Sequence, residues 1–518
     1  MRSVGDPLIP GVTVVSRGVT GFDNEKYLEE QSGEILARAR GATGHLYLEF
    51  GGKLLHDHHA ARVLPGYDPN VKVRLLHRLR DQAEILLCIY AGDIEKRKIR
   101  GDFGITYDAD AMRLIDGLRS RDIEVRGVVI TRFGDQPAVL TFEKRLRNRG
   151  IDVFRHYYTK GYPADIDLIV SEEGYGKNDY IQPTRPLVVV TGPGPGSGKL
   201  ATCLSQLYHD FRRGIRSSYS KFETFPIWNL PLKHPVNASY EAATADLLDV
   251  NLVDPFHLEA YGATAINYNR DVEAFPLLRR ILERISGSTA PFSSPTDMGV
   301  NRAGFGIVDD AAVREAACQE MIRRYFRYRC EHVMGLADPK TVGKVEMLMR
   351  DYGLSPESRP VVLPAREKMR RMEESGGTPG ECFAAALMLE NGTIVTGRGS
   401  DLMHASGALI LNAVKVLSGL DDSLNLLAPA VIDSIRELKK TLSCLPLNLD
   451  LEEVLIALSV SAASSRDASV AMSRLSDLHG CEAHLTHMPS SGDESGLRNL
   501  GINITSEPEF RSSRLSSD

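Results

Sequence analysis

The run Leu187-Val-Val-Val-Thr-Gly-Pro-Gly-Pro-Gly-Ser-Gly-Lys-Leu200 constrains the fold more than any other stretch: an apolar strand, a glycine-rich loop, and a lysine opening a helical segment. A strand that feeds a helix in this way belongs in a parallel sheet, whose neighbouring strands need a crossover to bring the chain back. The loop also presents free backbone N–H groups and the positive end of a helix to an anion, to which a lysine adds a point charge. Gly194, Gly196, Ser197, Gly198 and Lys199 are therefore candidate phosphate-binding residues. Against the spacing G-x-x-x-x-G-K-[ST], Gly198 and Lys199 fit, but Pro193 takes the first glycine's place and Leu200 replaces the hydroxyl residue that would hold Mg²⁺. A nucleotide and Mg²⁺ stay open as ligands, the metal without its usual loop ligand, and no cofactor is assigned. Thr202 does not substitute for the missing hydroxyl, because at position 202 it lies about 200° around the helix from position 200.

Further apolar runs at His45–Phe50, Ile85–Tyr90, Val125–Ile130 and Ile166–Val170 read as strands, separated by helix-length charged segments such as Asp110–Arg121 and Gln136–Arg149. This alternation favours an α/β fold with a mostly parallel N-terminal sheet and a P-loop-like turn over residues 1–219. From residue 220 to 355 the texture shifts to Pro, Asn and aromatic residues and then a long charged helix at Ala311–Met334, which reads as a mainly helical middle domain. Residues 356–505 form a second, C-terminal α/β domain. Its entry is Pro- and Gly-rich with helical potential at Arg366–Glu374. Its clearest element is a hairpin, Phe383–Leu389 and Thr393–Thr396 around Asn391-Gly392, a pair suited to a type I′ turn. A helix from Ser400 or Asp401, two helices at 451–464 and 467–478, and strands at Glu482–His487 and Ile502–Thr505 follow. Residues 506–518 read as a disordered polar tail.

With 518 residues, the chain has room for roughly three domains. Its formal charge of -6, from 62 basic and 68 acidic residues, gives no global footprint for nucleic acid. No apolar run reaches the about 18 residues a membrane helix needs, and nothing near Met1 resembles a signal peptide, so the cytoplasm is the expected location. Seven scattered cysteines without a C-x-x-C pair indicate reduced thiols, not a disulfide framework or zinc ribbon. A phosphorylated small molecule is the expected partner, with neither nucleic acid nor membrane, and a homo-oligomer is left open.

The strings FDNEKYLEEQSGEILAR (22–38), LYLEFGGKLLHDHHAARVLPGY (46–67), DIEKRKIRGDFGITYDAD (93–110), the stretch 173–210 around the glycine loop, 221–251 and SPTDMGVN (294–301) resemble an uncharacterised bacterial family, domain of unknown function 1846, over nearly the whole chain. The resemblance implies a multidomain α/β protein and brings no assigned reaction. A peptidase label sometimes attached to the family finds no support, since H-E-x-x-H is absent. At His56-Asp57-His58-His59 the family pattern has an aspartate and an aromatic residue in place of His56 and His58. A metal role for these histidines is weakened accordingly, and no metal site is assigned.

Other residues are candidates by position. Lys177, in Gly174-Tyr-Gly-Lys-Asn-Asp179, can join Lys199 on a polyanion, although a solvated turn explains it equally. Arg100 and Asp102 follow an apolar strand, where ligands of parallel sheets bind, and a salt-bridged surface loop is the plainer account. The segment Lys221–Asn237 holds the lone tryptophan and three prolines, which suits a pocket wall or a domain junction. Asp254 and His257 are the candidate acid/base residues if the middle domain closes over the loop. His257-Leu-Glu259 matches H-x-E, yet a deaminase also needs P-C-x-x-C, which is absent. Asn269, Arg270 and Asp297 are candidate substrate-binding residues. The overall expectation is an enzyme performing transfer or ligation on a phosphorylated ligand, with a noncatalytic metabolite-binding or assembly protein as the alternative.

Overall fold

A computed structural model describes residues 20–100, 104–378, 380–442 and 446–510. Strands up to residue 222 are β1 (Leu46–Phe50), β2 (Ala83–Tyr90), β3 (Ile99–Arg100), β4 (Ile105–Thr106), β5 (Val125–Thr131), β6 (Val153–Arg155), β7 (Leu187–Thr191) and β8 (Ser218–Phe222). Six of them form one sheet in the order β6-β5-β2-β7-β1-β8, every pairing parallel. The central strands β2 and β7 are buried along nearly their whole length, which is why their sequences are continuous apolar runs instead of alternating ones. β3 and β4 make a small antiparallel hairpin apart from this sheet.

The strand expected at Ile166–Val170 is a short helix, Ile166–Ile169. Asp165 caps it by accepting a hydrogen bond from the Leu168 N–H at 3.0 Å. A five-residue apolar run has no periodicity long enough to separate helix from strand, and here the cap decides. The region after residue 222 is mainly helical as expected, with a two-stranded antiparallel pair, β9 (Asn251–Val253) and β10 (Ile266–Tyr268), and the long helix at Asp310–Val333.

Two compact units emerge from the contacts. One comprises Thr20–Glu241 with Asp249–Arg314; the other contains Ala242–Leu248 and the chain from Glu315 onward. The second unit is built on a mixed sheet of β11 (Ala384–Met388), β12 (Ile394–Arg398), β13 (Glu482–Leu485) and β14 (Asn503–Ser506), ordered β12-β11-β13-β14. Only the β13–β14 pairing is parallel. Leu387, Leu409, Val414, Val454, Leu458 and Leu485 fill its core. The hairpin is present, but its loop is not a type I′ turn. Leu389 pairs with Thr393 through a 2.9 Å bond, so three residues turn the chain, and Gly392 alone there takes a positive φ, 79°. Asn391 keeps a negative φ and accepts from the Thr393 N–H through its side chain, so a three-residue loop closing on a left-handed glycine replaces the two-residue one.

The helix expected from Ser400 starts at Ala405, because the Ser400 hydroxyl accepts from the Leu402 and Met403 N–H groups and holds a turn first. The segment Pro356–Gly380 contains a helix at Val362–Glu374. Of the expected tail, Ser506 ends β14 and Glu507 is tied to Arg366 by an ion pair and to His484 by a 3.2 Å hydrogen bond, while residues 511–518 lie outside the described residues. No described helix is long and apolar enough to cross a membrane.

Candidate functional site

The glycine loop lies at the point where the sheet changes direction. The chain leaving β2 runs on to β5 on one side, and the chain leaving β7 runs past β1 to β8 on the other. Because β2 and β7 are neighbours, a crevice opens between their carboxyl ends, the usual ligand position in an open parallel sheet. Gly192–Gly198 fills that edge and leads into the helix Lys199–Arg212. Gly198 opens the helix at φ 90°, and no side chain caps the helix N–H groups. A β-carbon on Gly198 would come within 2.7 Å of Thr131, and one on Gly194 within 2.5 Å of the Tyr107 ring, so both positions demand glycine for space.

Thr131 fixes the loop by donating to the Ser197 carbonyl at 2.8 Å. Ser197 is only 3% exposed, yet its hydroxyl has no hydrogen-bond partner; the same holds for the Thr191 hydroxyl at the end of β7. Such groups cost about 1–3 kcal/mol each when left unpaired. The Lys199 ammonium lies 3.4 Å from the Gly194 carbonyl, a contact at the edge of hydrogen bonding. Leu200 packs against the sheet core. Thr202 is buried and contacts the Cys88 thiol at 3.3 Å and His156 at 3.4 Å, facing the sheet and not the loop's anion side.

The other sequence candidates scatter. Lys177 closes a short 3₁₀ turn and stands 4.7 Å from the centre of the Tyr157 ring. Arg100 ends β3, and Asp102 lies outside the described residues. Asp254 is fully buried as the cap of helix Pro255–Tyr261: one oxygen accepts from the Phe256 and His257 N–H groups, the other from the Thr296 N–H and hydroxyl. His257 meets the Ser294 hydroxyl at 3.0 Å. Asn269 accepts from the Val250 N–H, Arg270 pairs with Asp249 at 3.2 Å, and Asp297 accepts from the Tyr261 hydroxyl and the Ser293 N–H. Among the described residues no three His, Cys, Asp or Glu side chains converge to hold a metal. A wide trough between Asp167 and Arg284 is lined by solvent-exposed ion pairs and gathers no reactive groups.

A tighter assembly lies at the carboxyl ends of β1 and β8. Glu49 on β1 stands in register with Lys221 on β8, and Glu223 follows two residues later on the same side of the chain. Lys221 contacts Asp271 at 2.6 Å and Glu223 at 3.1 Å, and the Tyr219 hydroxyl donates to Glu49 at 2.6 Å. Lys221, Glu223 and Asp271 line a narrow recess, with room for about one water, whose other walls include Trp228, Asn267, Thr296 and Asn301. Burial pushes the Glu223 carboxyl up to about 7, with Asp271 and Glu49 adding to the rise and Lys221 opposing it. The same carboxylates overcome burial at Lys221 and hold its ammonium charged. The sequence marked the Lys221–Asn237 segment with Trp228 as a pocket wall or domain junction but missed the ion cluster. Its signal was the Lys-x-Glu spacing at a strand end opposite Glu49.

Loop and recess lie on the same edge of the sheet, with β1 alone between β7 and β8. Lys199 lowers, and Glu49 raises, the proton affinity of both the Cys88 and Cys203 thiols, although burial dominates and pushes Cys88 up to about 12. Burial therefore keeps both thiols protonated.

Comparison with known proteins places this architecture. A model described as "Domain of unknown function DUF1846, N-terminal" matches residues 20–353, and its C-terminal counterpart matches residues 357–516. The chain belongs to the DUF1846 family. It is 56% identical over 496 residues to a "UPF0371 protein" of Clostridium botulinum (strain Langeland / NCTC 10281 / Type F), covering 96% of this chain and 99% of the relative. It is 54% identical, with the same coverage, to a "UPF0371 protein" of Clostridium tetani (strain Massachusetts / E88). The family's function is unknown, so the reading of the site rests on its geometry.

Proposed function

We propose that this DUF1846 protein is an enzyme that binds a phosphorylated small molecule by its phosphate at the 192–199 loop and performs transfer or ligation chemistry in a reducing cytoplasm. The observation that carries the reading is the buried, unpartnered Ser197 hydroxyl in a loop that opens an uncapped helix at a topological switch point. A phosphate oxygen accepts from such a hydroxyl and from the free N–H groups at once, and Lys199 supplies the counter-charge. Leu200 in the position of the usual Mg²⁺ ligand argues for a ligand held without the ordinary P-loop metal geometry. Asp254 is fully engaged as a helix cap, so acid/base work falls to another group.

The reading is tested by calorimetric titration of inorganic phosphate, ATP, GTP, their diphosphates and sugar phosphates into wild type and Lys199→Ala, with and without Mg²⁺. Binding by wild type that weakens at least about tenfold in the variant supports it. Absence of binding of every phosphorylated ligand to wild type removes it. The departure from Walker spacing at Pro193 and Leu200 also favours a second reading, a noncatalytic metabolite-binding protein, and a ligand that binds without being consumed by the full-length protein would select that one.

A further inference from the structure

We propose that the recess beside β8 is an acid–base centre that removes and returns a proton on the carbon next to a carbonyl, in a small sugar-like phosphate. The proposal rests on the reading of the 192–199 loop as the phosphate anchor and names the reacting end of the same ligand. Both features occupy the carboxyl edge of one parallel sheet, where β1 alone separates β7 from β8.

Two kinds of group are needed for such a step, a base that exists in both protonation states near neutral pH and a fixed positive charge where an oxyanion forms. Glu223 and Lys221 supply them side by side. The Glu223 side chain is 21% exposed, open enough to reach a ligand and to exchange its proton with water. With its carboxyl near 7, it is both a competent base and a competent acid. Lys221 uses two of its three ammonium donors on Asp271 and Glu223, which leaves the third for a ligand oxygen. Because the carboxylates keep Lys221 charged, it serves as an electrostatic partner and not as an amine nucleophile. The nearby Cys88 and Cys203 are held as thiols and offer no nucleophile either.

The recess has room for about one water, which a ligand carbonyl reaching it from the open side would displace. Asn301 accepts the Glu223 N–H through Oδ1 and the Trp228 indole donates to its carbonyl, which orients the amide on the recess wall. The Trp228 ring and the Asn301 side-chain amide on this wall suit the carbons and hydroxyls of a polyol.

In the forward step the C–H bond breaks, its proton passes to the Glu223 carboxylate, and its electron pair forms a C=C bond. The carbonyl π pair moves to oxygen, and the resulting enolate is stabilised by the Lys221 N–H. Glu223 then returns a proton to the same carbon, and the oxygen's electron pair re-forms the carbonyl. No oxidant, reductant or second substrate enters.

Exchange of carbon-bound hydrogen for solvent deuterium reads this step directly. Full-length protein is incubated in D₂O with ribose 5-phosphate, glucose 6-phosphate, fructose 6-phosphate and dihydroxyacetone phosphate, and the C–H signals next to the carbonyl are followed by proton NMR. Wild type is expected to exchange at least one probe, with a rate that rises with pH through about 7, and Glu223→Gln to slow it at least about 100-fold. Exchange of no probe by wild type, or equal exchange by Glu223→Gln, overturns the proposal. If Glu223→Gln does not fold, Glu223→Ala replaces it, and an unchanged rate in that variant overturns the proposal equally. Binding of inorganic phosphate without exchange of any probe overturns the acid–base centre alone and leaves the loop reading standing. Exchange of D-glyceraldehyde as efficient as that of the phosphates overturns the shared ligand.

Discussion

Replacing Glu223 by Gln should change how the stability of the sheet-bearing unit depends on pH. Burial, with Asp271 and Glu49, raises this carboxyl from an ordinary 4.5 to about 7 against the pull of Lys221. At about 1.4 kcal/mol per tenfold in proton affinity, the folded state prefers the protonated form by about 3 kcal/mol, an upper figure for a side chain that keeps some contact with solvent. An acid whose folded value is raised stabilises fully below its unfolded value, and that contribution fades as pH rises through the folded one. Wild type should therefore lose about 3 kcal/mol relative to Glu223→Gln between pH 4.5 and pH 8. Trp228 is the sole tryptophan and borders the same recess, so urea unfolding followed by its fluorescence reports this unit. A stability difference that is flat across the range, or that grows in favour of wild type as pH rises, would refute the electrostatic account of the cluster.

Removing the Asp271 charge by Asp271→Asn should lower the Glu223 titration midpoint, since Asp271 is one of the groups raising it; pH titration of Trp228 fluorescence checks the direction. Gly198→Ala should destabilise by at least about 1 kcal/mol, because φ 90° and the Thr131 methyl both oppose a side chain, and should weaken phosphate binding in the same titration. In the C-terminal unit, Asp493 accepts from His404, Ser406, Ser490 and the Leu451 N–H, and these bonds outweigh burial to hold its carboxyl at about 2. Asp493→Ala should cost about 3 kcal/mol at pH 7 by stranding those buried donors, while the carboxylate's contribution in wild type should persist above pH 4 and fade as pH falls through 2, both measurable by chemical denaturation.

The parallel sheet was legible because β2, β5 and β7 are buried on both faces and so read as unbroken apolar runs. Ile166–Ile169 misled for the same reason, as a short apolar segment whose cap, and not its composition, sets the structure. The glycine loop was legible as a local motif, since glycine content and a following lysine are properties of consecutive residues. The recess was not. Glu49, Lys221 and Asp271 come from separate elements, and only the register of β1 with β8 reveals that the first two stand side by side. Asp254 and His257 drew notice by residue type, whereas the second Asp254 oxygen is occupied by Thr296, 42 residues away.

The most direct measurement of the central claim is a crystal structure of the full-length protein with the tightest phosphorylated ligand found by calorimetry. The account predicts the phosphate at the 192–199 loop, within hydrogen-bond distance of the Ser197 hydroxyl and the opening N–H groups of the helix Lys199–Arg212, with Lys199 turned from the Gly194 carbonyl to the ligand. A phosphate bound elsewhere, with the Ser197 hydroxyl still unpartnered, would contradict it.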